Sequence, residues 1–435
     1  MPTLPPRIAY VCTVSGYNQP ELEACLLHRP KDLILIVSQE MEKNGAPDRL
    51  ERVLRGRLPA TRIQRLGATT DCQFNGDDLC ENQHWIRQVL LPRLHQLAAE
   101  GAHCWLNFTG GTKTLSTALL FAYHWDLCEY KPHNSPWLLQ YQLCAVDGQV
   151  HFNEVGRPNL PSALPLDIAR LHNPDCQTRK PNQLEQQSPE LTARLANELW
   201  HGLTQQDQGL LHLLNMLETL WAEQNPHPYP VVEFNLDWTT LQARDPNLDP
   251  ATILPWLSRL SQLAPDVVRL NGNHLSLPGP HAGKKAAPWK RWVSGEWLEQ
   301  HLAISLQELG IPVEAIGRNL VVTDADETGS NAGREADLLI NWQGKTLLIE
   351  IKADIPGNSR SIDLEKQISS LGDRFGNTRK ILFLGPQLHQ KLQNDPNNSS
   401  KFEKLHARCQ QSKILLLHQI DKLLAEFLST ERPPH

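Results

Sequence analysis

Short apolar runs and helical periods alternate through the first third of the chain. Ile8 to Val14 reads as a buried strand, and Gln19 to Leu27 as a short helix. A second strand runs from Leu33 to Ser38, behind the turn-like His28-Arg-Pro-Lys-Asp32. The spacing then predicts a helix over Asp48–Leu54 and a weaker strand over Thr61–Arg65. From Leu79 to Ala99, Trp85, Ile86, Val89, Leu90, Leu94 and Leu97 fall on one helical face, and Cys104 to Phe108 is again strand. Near-continuous apolar strands separated by helices predict an α/β fold whose parallel sheet is covered on both faces.

Residues 156–206 break this rhythm. Prolines cluster from Pro158 to Pro165 and a polar stretch runs from Asn173 to Pro189, so a linker or irregular extension is expected. Gln208–Trp221 and Trp256–Ala264 read as helices, and Val267–Leu277 as a hairpin around Asn271-Gly272. That order fits a small winged-helix-like module and other small folds as well. In the last third, Ser294–Leu309 carries an apolar helical stripe of Leu298, Leu302, Leu306 and Leu309. Strands are predicted over Gly333–Asn341, Lys345–Lys352 and Lys380–Gly385, with a helix over Ile362–Leu371 between the last two. The expected division is therefore 1–155, 156–285 and 286–435.

A length of 435 residues suits about three domains, and 40% hydrophobic with 21% charged residues is ordinary for a globular chain. No apolar run approaches the ~18 residues of a membrane span. The first residues lack the basic and apolar regions of a secretion signal. Nine cysteines are scattered without a Cys-x-x-Cys pair, several of them inside apolar runs. A cytoplasmic protein with reduced thiols and no structural zinc is expected. The net charge of −6 argues against an overall basic coat but permits a local basic groove. Lys284-Lys-Ala-Ala-Pro-Trp289-Lys-Arg291 is the candidate, either as a solvated linker or as a nucleic-acid contact.

Asn107-Phe-Thr109-Gly110-Gly111-Thr112-Lys113-Thr114 leaves a strand and opens a helix. Two glycines allow close backbone approach to an anion, and the new helix offers unpaired N–H groups and a favourable dipole. The loop is not a Walker A motif, because Thr112 stands between Gly111 and Lys113, and it lacks the dinucleotide fingerprint. It reads as a phosphate or nucleotide site, or else as a tight turn with a Thr cap. The first strand ends in a similar polar loop, Thr13-Val14-Ser15-Gly16-Tyr17-Asn18, expected beside the glycines. Parallel sheets bind ligands at this edge.

The last third carries an acidic set. Leu347, Ile349 and Ile351 face one way along their strand, and Glu350 and Lys352 the other. A two-residue turn at Gln343-Gly344 places Asp337 opposite Glu350, whereas a three-residue turn pairs it with Ile349. Two carboxylates and an ammonium at a hairpin end suit Mg2+ or Mn2+ and a lysine that orients or deprotonates water. On the preceding helix Glu299 falls roughly 65° from the apolar stripe and Glu296 roughly 125° away, which turns Glu299 inward and Glu296 to solvent. Helix Glu, strand Asp and then Glu-x-Lys on the next strand is the pattern of the PD-(D/E)XK nuclease fold.

Taken together, the two ends resemble one family. The Thr-Gly-Gly-Thr-Lys loop on a Rossmann-like domain is similar to a CARF domain. Joined to a C-terminal PD-(D/E)XK domain, it resembles the cyclic-oligoadenylate-activated nucleases of type III CRISPR systems. The resemblance covers roughly 1–155 and 286–435. It implies a homodimer that binds a cyclic oligoadenylate, the tetra-adenylate foremost, and then cleaves DNA, RNA or both with a divalent cation. Thr13, Val14, Ser15, Gly16, Asn18 and Thr109 to Lys113 would hold the activator. Glu299, Asp337, Glu350 and Lys352 would form the nuclease centre, with Gln367 a possible helper. Gly333-Arg-Glu-Ala-Asp337 departs from the expected Asn-Glu-x-Asp and leaves the role of Glu335 open. The competing reading is a non-catalytic nucleotide sensor with a degenerate nuclease-like domain; cleavage of the activator by the N-terminal domain is a third.

Overall fold

The computed structural model describes residues 7–67, 73–122, 137–140, 143–144, 150–151, 163–181, 183–223, 231–265, 268–278, 291–322, 334–342, 345–353, 368, 375, 378–394 and 396–428. The basic cluster up to residue 290, the predicted helix 362–371 apart from Ile368, and Gln367 lie outside them.

In the N-terminal part the elements run β1 (Arg7–Thr13), α1 (Gln19–His28), β2 (Asp32–Ile36), α2 (Gln39–Lys43), α3 (Ala46–Arg57) and β3 (Arg62–Leu66). They continue with α4 (Leu79–Trp85), α5 (Leu91–Ala99), β4 (Ala102–Asn107), α6 (Lys113–Phe121) and β5 (Trp137–Gln140). A π-helical turn, Ile86–Leu90, joins α4 to α5 where the periodicity predicts one continuous helix. The five strands are all parallel, in the order β3-β2-β1-β4-β5. Alternate side chains enter two apolar layers: Val11, Ile34 and Leu106 on one face, Tyr10, Leu33 and Leu35 on the other. This is the doubly covered α/β sheet expected of a Rossmann-like domain. A small ribbon, β6 (Leu143–Cys144) with β7 (Val150–His151), follows.

The segment expected to be a linker is instead built into the fold. It contains α7 (Pro165–His172), β8 (Gln177–Thr178), α8 (Gln183–Gln187) and α9 (Pro189–Thr204). Ile168, Leu171, Leu195 and Leu199 are buried, so apolar spacing inside a Pro-rich, polar stretch outweighs its composition. Then come α10 (Gln208–Glu223), β9 (Val231–Asn235), α11 (Trp238–Arg244) and α12 (Pro250–Leu263). β10 (Arg269–Asn271) and β11 (His274–Pro278) join β9 in a three-stranded antiparallel sheet, β10-β11-β9. The hairpin turns on Gly272-Asn273, one residue later than expected.

After α13 (Trp297–Glu308), the C-terminal sheet is formed by β12 (Ile316–Val322), β13 (Arg334–Trp342), β14 (Lys345–Lys352), β15 (Arg379–Leu384) and β16 (Ile414–Leu417). Helices α14 (Pro386–Asn394), α15 (Pro396–Gln411) and α16 (Ile420–Leu428) complete it. Its order is β16-β15-β14-β13-β12-β8, so two residues of the expected linker supply an edge strand. Leu298, Leu302 and Leu306 of α13 pack on Ile349, Ile351 and Phe383, whereas Leu348 belongs to the opposite core. Leu309, expected on the stripe, is 41% exposed because the helix ends before it. Five of the described cysteines are free and buried, and Cys80 is free and exposed. No helix among the described residues is long and apolar enough to cross a membrane.

Candidate functional site

The strand order reverses direction of growth between β1 and β4, the switch point at which open α/β sheets bind ligands. Cys12 pairs with Asn107, so the Thr13–Asn18 loop and the glycine loop leave the sheet side by side. Gly111 has φ +80°, a left-handed conformation that favours glycine. A Cβ at Gly110 would lie 1.7 Å from Glu21 Oε1 and 3.0 Å from the Thr13 carbonyl, so only glycine lets the two loops touch.

Thr112 caps α6, its hydroxyl accepting from Leu115 N–H at 3.2 Å. Its hydroxyl also donates to the Gly76 carbonyl, as does that of Thr114 at 2.6 Å. Ser116 Oγ donates to the Gly110 carbonyl at 3.0 Å, and Thr109 N–H to Asn107 Oδ1 at 2.9 Å. In the facing loop, Ser15 N–H donates to Asn18 Oδ1 at 2.9 Å and Ser15 Oγ to the Tyr17 carbonyl at 2.7 Å. Lys113, Gly111 and Gly16 are exposed, with Ser15, Thr109, Gly110 and Thr112 half-buried around them. Thr13, Val14 and Asn18 are buried and hold the loop from below, so their side chains do not present a ligand surface.

Two participants escaped the sequence reading, Gly76 and Glu21. Asn18-x-x-Glu21 has the spacing of a helix capping box, but Asn18 spends its side chain on Ser15. Glu21 is 1% exposed and neither of its oxygens finds a hydrogen-bond partner. Burial raises its pKa to about 8, and the nearby Glu23 adds to the shift.

The second site lies on the β13–β14 hairpin. Trp342 pairs with Lys345 and Leu338 with Ile349, the register of a two-residue turn, which sets Asp337 across from Glu350. Ile351 N–H donates to Asp337 Oδ2 at 2.6 Å, and Lys352 Nζ donates to Glu350 Oε1 at 2.6 Å. From α13, Glu299 joins the same electrostatic cluster, with its Oε2 enclosed and unpartnered. Burial pushes the Glu299 carboxyl up to about 8; Arg318 opposes this, while Glu296, Glu335 and Glu350 add to it. Asp337 is raised well above the usual range by burial and then by Glu350 and Glu299. Glu350 is raised by burial against the pull of Lys352. Burial alone would lower the Lys352 ammonium, but Glu350 and Asp337 outweigh it and hold it above its ordinary value. Three carboxylates thus crowd one lysine. No three His, Cys, Asp or Glu side chains among the described residues stand gathered as a metal-ligand set.

Glu296 is not in solvent, as its helical phase predicts. Trp292–Glu296 forms a π-helical turn broken at Gly295; Glu296 itself is helical and stays in phase with α13, but two arginines cover the face on which it lies. Its side chain is 18% exposed and pairs with Arg179 at 3.2 Å and with Arg291. Arg179 also holds Glu335 at 2.5 Å. These two acids are therefore tied to a cation just beyond β8, beside the carboxylate cluster.

No family model matches the sequence, and no curated protein does so either. Solved structures do. Protein VC1899 from Vibrio cholerae superposes with a TM-score of 0.64 at 15% identity, covering 97% of each chain. Can2 from Sulfobacillus thermosulfidooxidans, in complex with cyclic tetra-adenylate, superposes with a TM-score of 0.61 at 13% identity, covering 97% of this chain and 99% of that one. The chain therefore shares its fold, from end to end, with these two proteins.

Proposed function

We propose that the protein is a cyclic-oligoadenylate-activated, metal-dependent nuclease of type III CRISPR defence, active as a cytoplasmic homodimer on DNA, RNA or both. The observation that carries this reading is the placement of Asp337, Glu350 and Lys352 at one end of the β13–β14 hairpin, with Glu299 of α13 within electrostatic reach. The fold shared with Can2, whose structure holds cyclic tetra-adenylate, supports that ligand for the switch-point loops. The proposed division is 1–155 as the CARF sensor, 156–285 as the connecting helical module and 286–435 as the nuclease.

In donor type, though not in the spacing of its side chains, the acidic site suits a hard divalent cation. Its three carboxyl groups are oxygen donors that raise one another's pKa, and a buried Glu299 oxygen has no partner. Asp337, Glu350 and Glu299 would hold Mn2+ or Mg2+, which when bound neutralises charge on the scissile phosphate and acidifies water. Lys352, kept as an ammonium by Glu350 and Asp337, would orient the attacking water by donating to its oxygen, and the water's proton leaves to solvent. At the other site, Lys113 and the α6 N-terminus meet phosphate charge, while the Thr109 and Ser15 hydroxyls lie at the same edge to meet sugar or phosphate oxygens.

The test is incubation of the purified protein with manganese and single- and double-stranded DNA and RNA, with and without cyclic tetra-adenylate. Cleavage that requires both additions is expected. Binding of the activator without any cleavage would instead establish a non-catalytic sensor.

A further inference from the structure

A buried polar cluster joins the start of α1 to the β13–β14 hairpin. Gln19 Nε2 donates to Asn341 Oδ1 and to Glu23 Oε1, both at 3.0 Å. Asn341 Nδ2 donates to Glu23 Oε1 at 3.1 Å and to the Ala163 carbonyl at 2.9 Å. The Thr346 hydroxyl stands 3.1 Å from both Gln19 Oε1 and Asn341 Oδ1. Tyr17 donates its phenolic O–H to Gln19 Oε1. Gln19, Glu23, Asn341 and Thr346 are 3%, 1%, 0% and 6% exposed, so water does not substitute for any of these partners.

Its position is as telling as its burial. Gln19 follows Asn18 directly, so one end of the cluster is continuous with the loop assigned to the activator. At the other end, Asn341 is four residues from Asp337 on β13, and Thr346 four from Glu350 on β14. Side chains four apart on a strand share a face, roughly 13 Å apart, and Asn341 pairs with Thr346 in the hairpin register. A strand pair is stiff over that distance. A buried network with nearly every group satisfied has few intermediate arrangements, because a small slide breaks several bonds together.

We propose that the Gln19–Asn341–Thr346 cluster is the contact through which the activator-binding edge repositions the carboxylate hairpin. This rests on the function proposed above and names the regulation of that site. Asn341 and Thr346 are positioning residues; they act through the strands that carry Asp337 and Glu350.

Thr346→Val removes the shared hydroxyl at nearly constant volume, and Thr346→Ser restores it. Cleavage with manganese is measured at saturating cyclic tetra-adenylate and without it, and activator affinity by calorimetry. Thr346→Val should bind the activator as the wild type does, yet lose roughly tenfold in the ratio of activated to basal rate, a typical allosteric coupling. Thr346→Ser should recover that ratio. An unchanged ratio in Thr346→Val, even with lowered stability, would overturn the proposal, since a merely structural contact predicts that result. A wild type that neither binds nor responds to cyclic tetra-adenylate refutes the proposed function instead. The contact is then tested by hydrogen exchange on the ligand-free protein. Faster exchange in both 19–28 and 345–352 of Thr346→Val supports a mechanical link, and a change confined to 345–352 overturns it.

Discussion

Lys113 is the first residue of α6 and its side chain is exposed beside two glycines that cannot be replaced without strain or collision. Loss of a charge-assisted phosphate contact costs about 1.5–3 kcal/mol. Lys113→Ala should therefore weaken activator binding by roughly ten- to a hundredfold, with full cutting at saturation. An activation midpoint equal to that of the wild type would remove Lys113 from the site. Glu299 and Glu296 separate at the same scale. Glu299→Gln removes an ionisable carboxyl from the cluster and should raise the manganese concentration required for half-maximal cleavage. Glu296→Gln releases Arg179 and Arg291, so it should lower stability in a thermal melt with a smaller change in metal requirement. The reverse order in a metal titration would rebuild the site around Glu296. Glu21 gives a pH signature. Folded protein keeps its proton up to about 8, whereas the unfolded chain releases it near the ordinary value of 4.5. The native state therefore binds more protons across that window, and stability falls as pH rises through it. Glu21→Gln should remove that share of the slope, raising Tm relative to wild type more at pH 8 than at pH 5. Calorimetric melts showing an equal gain at both would mean that the carboxyl is not buried in its protonated form.

The β13–β14 hairpin places Asp337, Glu350 and Lys352 together, because one register decides whether Asp337 meets a carboxylate or an isoleucine. Apolar alternation at Leu347, Ile349 and Ile351 already implied which way Glu350 and Lys352 point. The turn length, which the residues left open, settled their partner. Glu350→Ala or Lys352→Ala should abolish cleavage and leave activator affinity unchanged, since the glycine-loop edge uses neither. Equal loss of binding in a calorimetric titration would mean that the ligand site had been misplaced. In the N-terminal half, the strand–loop–helix pattern around Gly110 and Gly111 was legible because turn and cap chemistry is local. Exposure was not legible at Glu296: helical phase turns it away from the apolar stripe, but Arg179, 117 residues away in sequence, and Arg291 cover it.

At the scale of the whole molecule, the amino-acid pattern by itself determined two α/β sheets, their order along the chain and the residue types waiting at their strand ends. Strand and helix periods are written in neighbouring positions, and burial of one face follows directly from them. Only the tertiary structure decided which distant groups meet. It set Gln19 against Asn341, 322 residues away, put Glu21 beneath Gly110, and brought Arg179 from a Pro-rich polar stretch to Glu296 and Glu335. It also drew β8 out of that stretch into the C-terminal sheet. Such contacts depend on how finished layers pack and on where buried polar groups find partners, and neither condition leaves a periodic trace in the sequence.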